Sequence, residues 1–297
     1  MIVAATEEEY RFVTQPEHAE QVSLLAEHWG NDTFAAPIPR APVVMAAALH
    51  DAGWHDYDLA PHLVDGEPAS VLDTTREEWV EFYDHGIETV IERDQYAGLL
   101  CAMHGAGVRK RRYGTHADLP DSSEEFAAFV ERQEARQRSL VDRLLESERD
   151  GSHVDEADRE ALRALHGGDT PETDSGVFRN YRLLQTWDRL SLYCCTAVDH
   201  EATTVGSVPV APGEPDTELS VVPVEGAVGP VEGAVGPLAG GTVEVEPYPF
   251  DESPVTTRVR ARVVGRDAFD AGDEASLVRA YYEAPRETVE FGFTAVG

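Results

Sequence analysis

The sequence predicts a mainly α protein, a bundle of helices followed by a small α+β subdomain built from C-terminal strands. Apolar residues recur at helical spacing through the first part of the chain, and later the composition shifts to valine, proline and glycine. Near the C-terminus apolar and polar residues alternate as in strands. With 297 residues, 42% of them hydrophobic, we expect a helical domain over 1–200, a loop over 201–241 and a β-rich subdomain over 242–297.

The elements can be placed in order from apolar periodicity and from the residues that begin and end helices. Two short strands, IVAA and YRFVT, form a predicted hairpin in 1–14 that is a candidate to complete the C-terminal sheet. Helices are expected at about 16–29, 42–53, 76–94, 96–105, 122–149, 155–166, 177–199 and 273–284. Further strands are expected at TVEVEPYPF, VTTRVRARVVG and TVEFGFTAV. In the loop between, VEGAVGP occurs twice in succession over 224–237, which is typical of a recent duplication in a tolerant segment.

The chain is strongly acidic. Its formal net charge is −32, from 56 acidic and 24 basic residues, and Lys110 is its one lysine. This composition resembles that of proteins from halophilic archaea, and we interpret most of the charge as a solvated acidic surface. Because such a field repels nucleic acid at low salt, no nucleic-acid polymer is expected as a partner.

Localisation signals are absent from the sequence. The N-terminal MIVAATEEEY lacks the basic and apolar regions of a signal peptide, and no apolar run approaches the roughly 18 residues of a membrane span. The cysteines Cys101, Cys194 and Cys195 lie in apolar helical segments, and adjacent cysteines rarely bridge. We therefore expect a soluble, cytoplasmic protein without disulfides or membrane contact.

Histidines and carboxylates on apolar helical faces are the candidate metal ligands. His18 lies on the stripe of the first helix, His50 and Asp51 end a very hydrophobic helix, and Asp188 lies in the middle of a late buried helix. Taken singly, each has another interpretation: a core histidine for His18, a helix cap for Asp51, an arginine partner for Asp188. Since burying a carboxylate costs roughly several kcal/mol unless a cation or hydrogen bonds compensate, the set together favours a metal site.

The order of His18, the His50-Asp51 pair and Asp188 resembles the HD superfamily of metal-dependent phosphohydrolases. The resemblance implies an HD-domain-like helical bundle in which these residues bind one divalent metal ion. It also implies that Asp51 is able to bridge to a second ion.

HD-superfamily members that hold two metal ions have further histidines between the pair and the last aspartate. The candidates here are His104 in LLCAMHG and His85 in YDHGIE. A mixed nitrogen and oxygen donor set suits Mn, Fe, Mg or Zn. The expectation is one or two divalent ions of these kinds.

A basic run follows His104. Arg109 and Lys110 in this run, together with Asp51, are the candidate catalytic residues, because cations close to a metal could hold a phosphate. The other interpretation is a cluster of surface ion pairs.

A second resemblance covers nearly the whole chain. TQPEHAEQVSLLAEHWG, HDAGWHDYD, DQYAGLLCAMHG and the late PYPF occur in this order, and they resemble a family known only as domain of unknown function 3891. That family supplies no substrate.

The leading hypothesis from the sequence is hydrolysis of a small phosphorylated molecule or nucleotide by a metal-activated water. One alternative is a di-iron oxygenase of the HD type. Another is a non-catalytic metal-binding or sensor module.

Overall fold

The computed structural model of the chain describes residues 1–116, 123–147, 153–171, 174–196, 201–224 and 241–297. The described α-helices are Gln15–Glu27 (α1), Arg40–Leu49 (α2), Arg76–Arg93 (α3), Gln95–Val108 (α4), Glu124–Glu146 (α5), Glu156–Gly167 (α6), Gly176–Thr196 (α7) and Glu274–Glu283 (α8). The described strands are Ile2–Ala5 (β1), Glu9–Val13 (β2), Leu63–Val64 (β3), Glu67–Pro68 (β4), Thr203–Val208 (β5), Thr217–Pro223 (β6), Gly241–Glu246 (β7), Val255–Gly265 (β8) and Arg286–Ala295 (β9).

Helix α4 is the centre of the helical part. All residues from Tyr96 to Gly107 are buried, because the sequence of this helix is apolar on every side. Helices α2, α3, α5 and α7 pack around it. In the part of the chain that the structure describes, no helix is both long enough and apolar enough to cross a membrane.

Two glycines bring the segment after α2 against α3. A Cβ atom added to Gly53 would lie 1.8 Å from the carbonyl oxygen of Phe82, and one added to Gly86 would lie 2.5 Å from the amide nitrogen of Gly53. The two backbones therefore touch, which only glycine permits at this distance. This contact holds the short 3-10 turn Ala52–Trp54, and with it Asp51, in a fixed position.

Seven strands form one sheet in the order β1-β2-β8-β9-β7-β6-β5. Neighbouring strands are antiparallel except β7 and β9, which are parallel. The N-terminal hairpin joins the sheet through β2, where Tyr10 lies opposite Val264. Helix α1 packs on β8, and α7 packs on β5 and β1. The sheet thus covers the two helices that carry His18 and Asp188.

The prediction of a mainly α, HD-like bundle was wrong. The structure is 51% helical and 21% strand, with a curled seven-stranded sheet, and is an α+β fold. The sheet is larger than expected because β5 and β6 lie within 201–241, where proline and glycine were interpreted as loop signals although TTVGSV and TELSVVP pair as antiparallel strands. The tandem repeat at 224–237 lies, apart from Val224, outside the described residues.

Candidate metal centre

Four parts of the chain bring the buried histidines and carboxylates together. His18 is on α1, His50 and Asp51 follow α2, His104 is on α4, and Asp188 is on α7. These five residues are between 1% and 8% exposed. One donor atom from each of His18, His50 and Asp51 lies within 4.8 Å of the others. This cluster could hold a metal ion.

The proton position on His18 follows from a chain of hydrogen bonds that ends in the sheet. The Gln21 amide nitrogen donates to Thr257 Oγ1 at 2.8 Å, so the amide oxygen of Gln21 faces Ser191, whose hydroxyl donates to it at 2.7 Å. Ser191 Oγ therefore accepts from Nδ1 of His18, 2.8 Å away. The other ring nitrogen, Nε2, lies 3.1 Å from Asp188 Oδ1, and in a neutral ring it carries the lone pair that a metal ion needs.

His50 has the same tautomer for a simpler reason. Its Nδ1 lies 2.9 Å from the carbonyl oxygen of Ala47, which only accepts, so Nδ1 carries the proton. Nε2 has no hydrogen-bond partner among the described residues. It lies 3.4 Å from Asp51 Oδ2 and 3.9 Å from Asp188 Oδ1. In a neutral ring this nitrogen directs a lone pair at two carboxylates, which is unfavourable unless a cation lies between them.

Asp188 is held ionised by an arginine. Arg112 donates to Asp188 Oδ2 at 2.7 Å and also to Gln185 Oε1. Burial is the largest single influence and raises the pKa of Asp188, but Arg112 and then the neighbouring His18 and His104 together outweigh it, so the pKa lies well below its usual range. The arginine-partner interpretation of Asp188 and the metal-ligand interpretation are compatible, because Oδ1 remains directed at the two histidines.

Asp51 also remains a carboxylate. Burial favours its neutral form, yet the imidazoles of His50 and His104 lower its pKa below the ordinary value. The Tyr83 hydroxyl donates to Asp51 Oδ1 at 2.8 Å. Burial first, and then the charge of Asp51, raise the pKa of Tyr83 well above its ordinary value, so the hydroxyl keeps its proton. Tyr83 therefore orients Asp51 by a hydrogen bond.

His104 differs from the other two imidazoles. Its Nε2 lies 3.7 Å from Asp51 Oδ1, and its Nδ1 lies 3.1 Å from the amide nitrogen of Gln185. Burial, followed by the neighbouring His50, lowers the pKa of His104 to about 4. The ring is thus neutral at pH 7 and carries a single proton.

An open cavity of about 380 Å³ adjoins the cluster. Asp51 lines it from inside, and polar groups of His55, His85, Thr89 and Arg93 lie around it. The structure thus places the expected ligand His85 in this cavity wall, where its side chain is exposed and outside the compact group.

The side chains of the basic run after α4 contact different parts of the protein. Arg109 lies over the rings of Trp79 and Phe126 at 3.9 and 3.7 Å. Lys110 donates to Glu134 Oε1 at 2.7 Å. The structure thus places neither expected catalytic cation at the cluster; Arg112, which the sequence interpretation did not single out, is the one that contacts Asp188.

The donor set is chemically suited to a divalent ion. Two imidazole nitrogens, Nε2 of His18 and Nε2 of His50, and the carboxylates of Asp51 and Asp188 form a mixed donor set of the kind that binds Mn, Fe or Zn and, with its carboxylate content, Mg. Hydrogen bonds that Nδ1 of His18 and Nδ1 of His50 donate to their neighbours give the support that metal-bound histidines have in proteins. The residues present therefore fit a metal.

Comparison with known proteins places the chain in a family. A family model described as "Protein of unknown function (DUF3891)" matches residues 1–266. No curated protein matched the chain, and no solved structure matched it.

Proposed function

The chain belongs to the DUF3891 family of proteins of unknown function, and we propose that it binds one divalent metal ion at His18, His50, Asp51 and Asp188 and uses it to hydrolyse a phosphoester. The order of these ligands along the chain is similar to that in the HD superfamily of metal-dependent phosphohydrolases, and the phosphoester part of the proposal comes from this similarity. The proposal concerns the ligands and not the fold.

The orientation of His18 and His50 carries the metal part. Each ring donates its Nδ1 proton to a neighbour and directs Nε2 toward a carboxylate, at 3.1 Å for His18 and 3.4 Å for His50. Two buried lone pairs and two buried negative charges around one point repel one another. These four groups would attract a divalent cation placed between them, and such a cation would account for His50 Nε2 having no partner among the described residues.

The protein groups around this point have separate tasks in hydrolysis. When bound, a divalent ion would lower the pKa of a water molecule and withdraw charge from phosphoryl oxygens. Of the four ligands, Asp51 is the one that lines the cavity, so its carboxylate can orient a water or take up its proton there. Tyr83 fixes that carboxylate, and Arg112 keeps Asp188 ionised. Attack by the water oxygen on phosphorus then breaks the ester P–O bond and gives phosphate and the alcohol, whose oxygen receives the proton that Asp51 took from the water.

Metal binding is tested by titrating metal-free protein with Mn, Mg, Fe and Zn in a calorimeter. We expect one ion per chain, and His50→Gln and Asp188→Asn should each weaken binding by at least about 100-fold, since a ligand matters at least as much as its supporting residues. His85→Gln is the matched control, a histidine of the same cavity outside the cluster, and should change affinity less than about threefold. Unchanged metal content in both Asp51→Asn and Asp188→Asn would rule out the site.

The reaction is tested by measuring phosphate release from phosphorylated metabolites and nucleotides, in molar KCl, with each of the four metals. Turnover that is lost in Asp51→Asn supports the proposal. Two irons per chain with an absorbance change on exposure to oxygen would support an oxygenase instead. Stoichiometric metal without turnover of any tested compound would support a binding module.

A further inference from the structure

The proton position on His104 is determined by Gln185. Arg112 donates to the amide oxygen of Gln185, so the amide nitrogen is the end that faces His104. This nitrogen is a donor, and Nδ1 of His104, 3.1 Å away, must accept from it. Because Nδ1 accepts this hydrogen bond it carries no proton, and the proton of the ring therefore lies on Nε2. Arg112 thus fixes the tautomer of His104 through the side-chain amide of Gln185.

The three buried imidazoles are consequently of two kinds. His18 and His50 direct a lone pair into the cluster, because their Nδ1 atoms donate to Ser191 and to the Ala47 carbonyl. His104 directs an N–H bond into the same space. Its Nε2 is 3.7 Å from Asp51 Oδ1, too far for a hydrogen bond. No hydrogen bond of His104 Nε2 is found among the described residues, so its N–H can donate to an oxygen atom that enters the space beside Asp51.

We propose that His104 is not a metal ligand but a fixed hydrogen-bond donor for an oxyanion, the phosphoryl oxygen of a substrate bound beside Asp51. A metal ligand at Nε2 would need the lone pair that Gln185 places on Nδ1. The site consequently binds one metal ion, and the space beside His104 Nε2 holds the anion instead of a second ion. This inference rests on the metal site proposed above, and it assigns Gln185 and Arg112 as the positioning residues for His104.

The test uses two substitutions at one position. In His104→Gln the amide nitrogen takes the place of Nε2 and still donates, whereas His104→Leu removes the donor. Zinc affinity is measured first, by calorimetry, and inorganic phosphate binding to the zinc-loaded protein second, with circular dichroism as the check on folding. We expect both variants to keep one zinc with affinity within about threefold of the parent. Phosphate binding should fall at least about tenfold in His104→Leu and be restored in His104→Gln, the loss being that of one charge-assisted hydrogen bond.

The outcomes separate this inference from the proposed function. If the parent protein binds no zinc, the proposed site fails. If the parent binds zinc but His104→Gln and His104→Leu both lose it, or if the parent binds two ions and the variants one, His104 is a ligand and only the present inference fails. Equal phosphate affinity in the parent and His104→Leu would also overturn the donor role.

A second measurement reads the tautomer directly. Long-range proton–nitrogen correlation spectra of the zinc-loaded parent should show the His104 proton on Nε2. In Gln185→Glu the carboxylate can only accept, so the proton should move to Nδ1, while Gln185→Leu serves as the control without a donor or acceptor. A proton on Nδ1 in the parent would overturn the inference.

Discussion

Arg112 reaches Asp188 because the backbone around it takes the left-handed conformation, which residues other than glycine rarely adopt. Arg111, Arg112 and Tyr113 have φ values of 49°, 49° and 52° and are followed by Gly114 at 82°. Each left-handed non-glycine residue costs roughly 1–2 kcal/mol. The ion pair with Asp188 and the burial of the Tyr113 ring offset this cost. The strained turn thus places the guanidinium of Arg112 against the carboxylate of Asp188.

Lys110 lies two residues before Arg112, and its ammonium group contacts residues other than Asp188. Its ammonium group donates to Glu134 and to the backbone carbonyl of His166. The His166 ring accepts from Arg138 at Nδ1 and faces Gln137 Oε1 with Nε2, at 3.0 and 2.9 Å. Both contacts are satisfied by the neutral ring. Lys110 therefore belongs to the packing between α4, α5 and α6.

The pH dependence of stability should report this neutral histidine. Burial, and then the charges of Arg138 and Lys110, lower the pKa of His166 from 6.5 to about 4. The unfolded chain takes up a proton below its own pKa while the folded chain does not, so stability present above pH 6.5 is lost as the pH falls toward 4. His166→Gln should flatten this part of the curve, by at most about 1.4 kcal/mol per pH unit for one proton. Denaturant unfolding at several pH values measures it.

His153→Gln is a suitable control for His166→Gln, because the His153 side chain is exposed. We expect its pH profile to follow that of the parent. Identical slopes for the parent and His166→Gln between pH 4 and 6.5 would contradict the prediction.

At the scale of elements, the contact between the turn after α2 and helix α3 is the tightest backbone approach near the metal centre. Gly53 and Gly86 face each other across it. Since the obstructing atoms are backbone atoms, no rotamer change could relieve an added methyl group. The position of Asp51 depends on this contact, because Asp51 immediately precedes the turn.

Gly86→Ala should therefore destabilise the protein although alanine favours helices. The new Cβ would meet Gly53 N at 2.5 Å, and we expect a loss of about 1–3 kcal/mol in the free energy of unfolding, as for overpacked cores. Gly167→Ala is the matched control, since its Cβ would meet only Asp169 Oδ2 at 3.7 Å, an ordinary contact. Urea unfolding of both variants measures the difference. Equal stability of Gly86→Ala and the parent would show that α3 can move away without cost.

Helices were more predictable than strands for a physical reason. Apolar residues recur at helical spacing within each helix, so the pattern can be recognised in one continuous segment. The helices α1, α3, α4 and α7 lie close to their predicted ranges. The strands β5 and β6 are short and pair with one another and with β7, so their assignment depends on partners distant in sequence. The group of His18, His50 and Asp51 was predictable because buried polar residues on apolar faces are visible in one sequence.

The role of Arg112 was not predictable from the sequence. Four adjacent basic residues look equivalent in a sequence, and nothing in the sequence shows the left-handed turn that directs Arg112 toward Asp188. The tautomer of His104 likewise depends on Gln185, 81 residues away. Such features need the folded geometry.

At the scale of the whole molecule, the net negative charge is the main source of electrostatic repulsion. A net charge of −32 on 297 residues repels itself in the compact state. Several of the exposed arginines are paired with acidic residues, as Arg260 is with Glu17 and Glu20, but the excess of acidic residues remains. Salt screens this repulsion.

The midpoint of thermal unfolding should rise when KCl increases from 0.1 to 1 M. The Debye length falls from about 10 Å to about 3 Å over this range, so most of the increase should occur below about 1 M if screening is its cause. Sucrose, which raises stability without screening, is the control for solvent exclusion. A midpoint that does not change between the two salt concentrations would contradict self-repulsion as a major destabilising contribution.

The hydrogen bond between Gln21 and Thr257 has a consequence for the order of events during synthesis. Gln21 fixes the proton on His18 only through a partner 236 residues further along the chain. A ribosome that has made α1 and α7 has produced His18 and Ser191, yet the chain of hydrogen bonds that sets the Nδ1 proton of His18 is complete only after β8 has been made and has joined the sheet. The buried hydrogen bonds around His18 are therefore expected to form late, once nearly the whole chain has been synthesised.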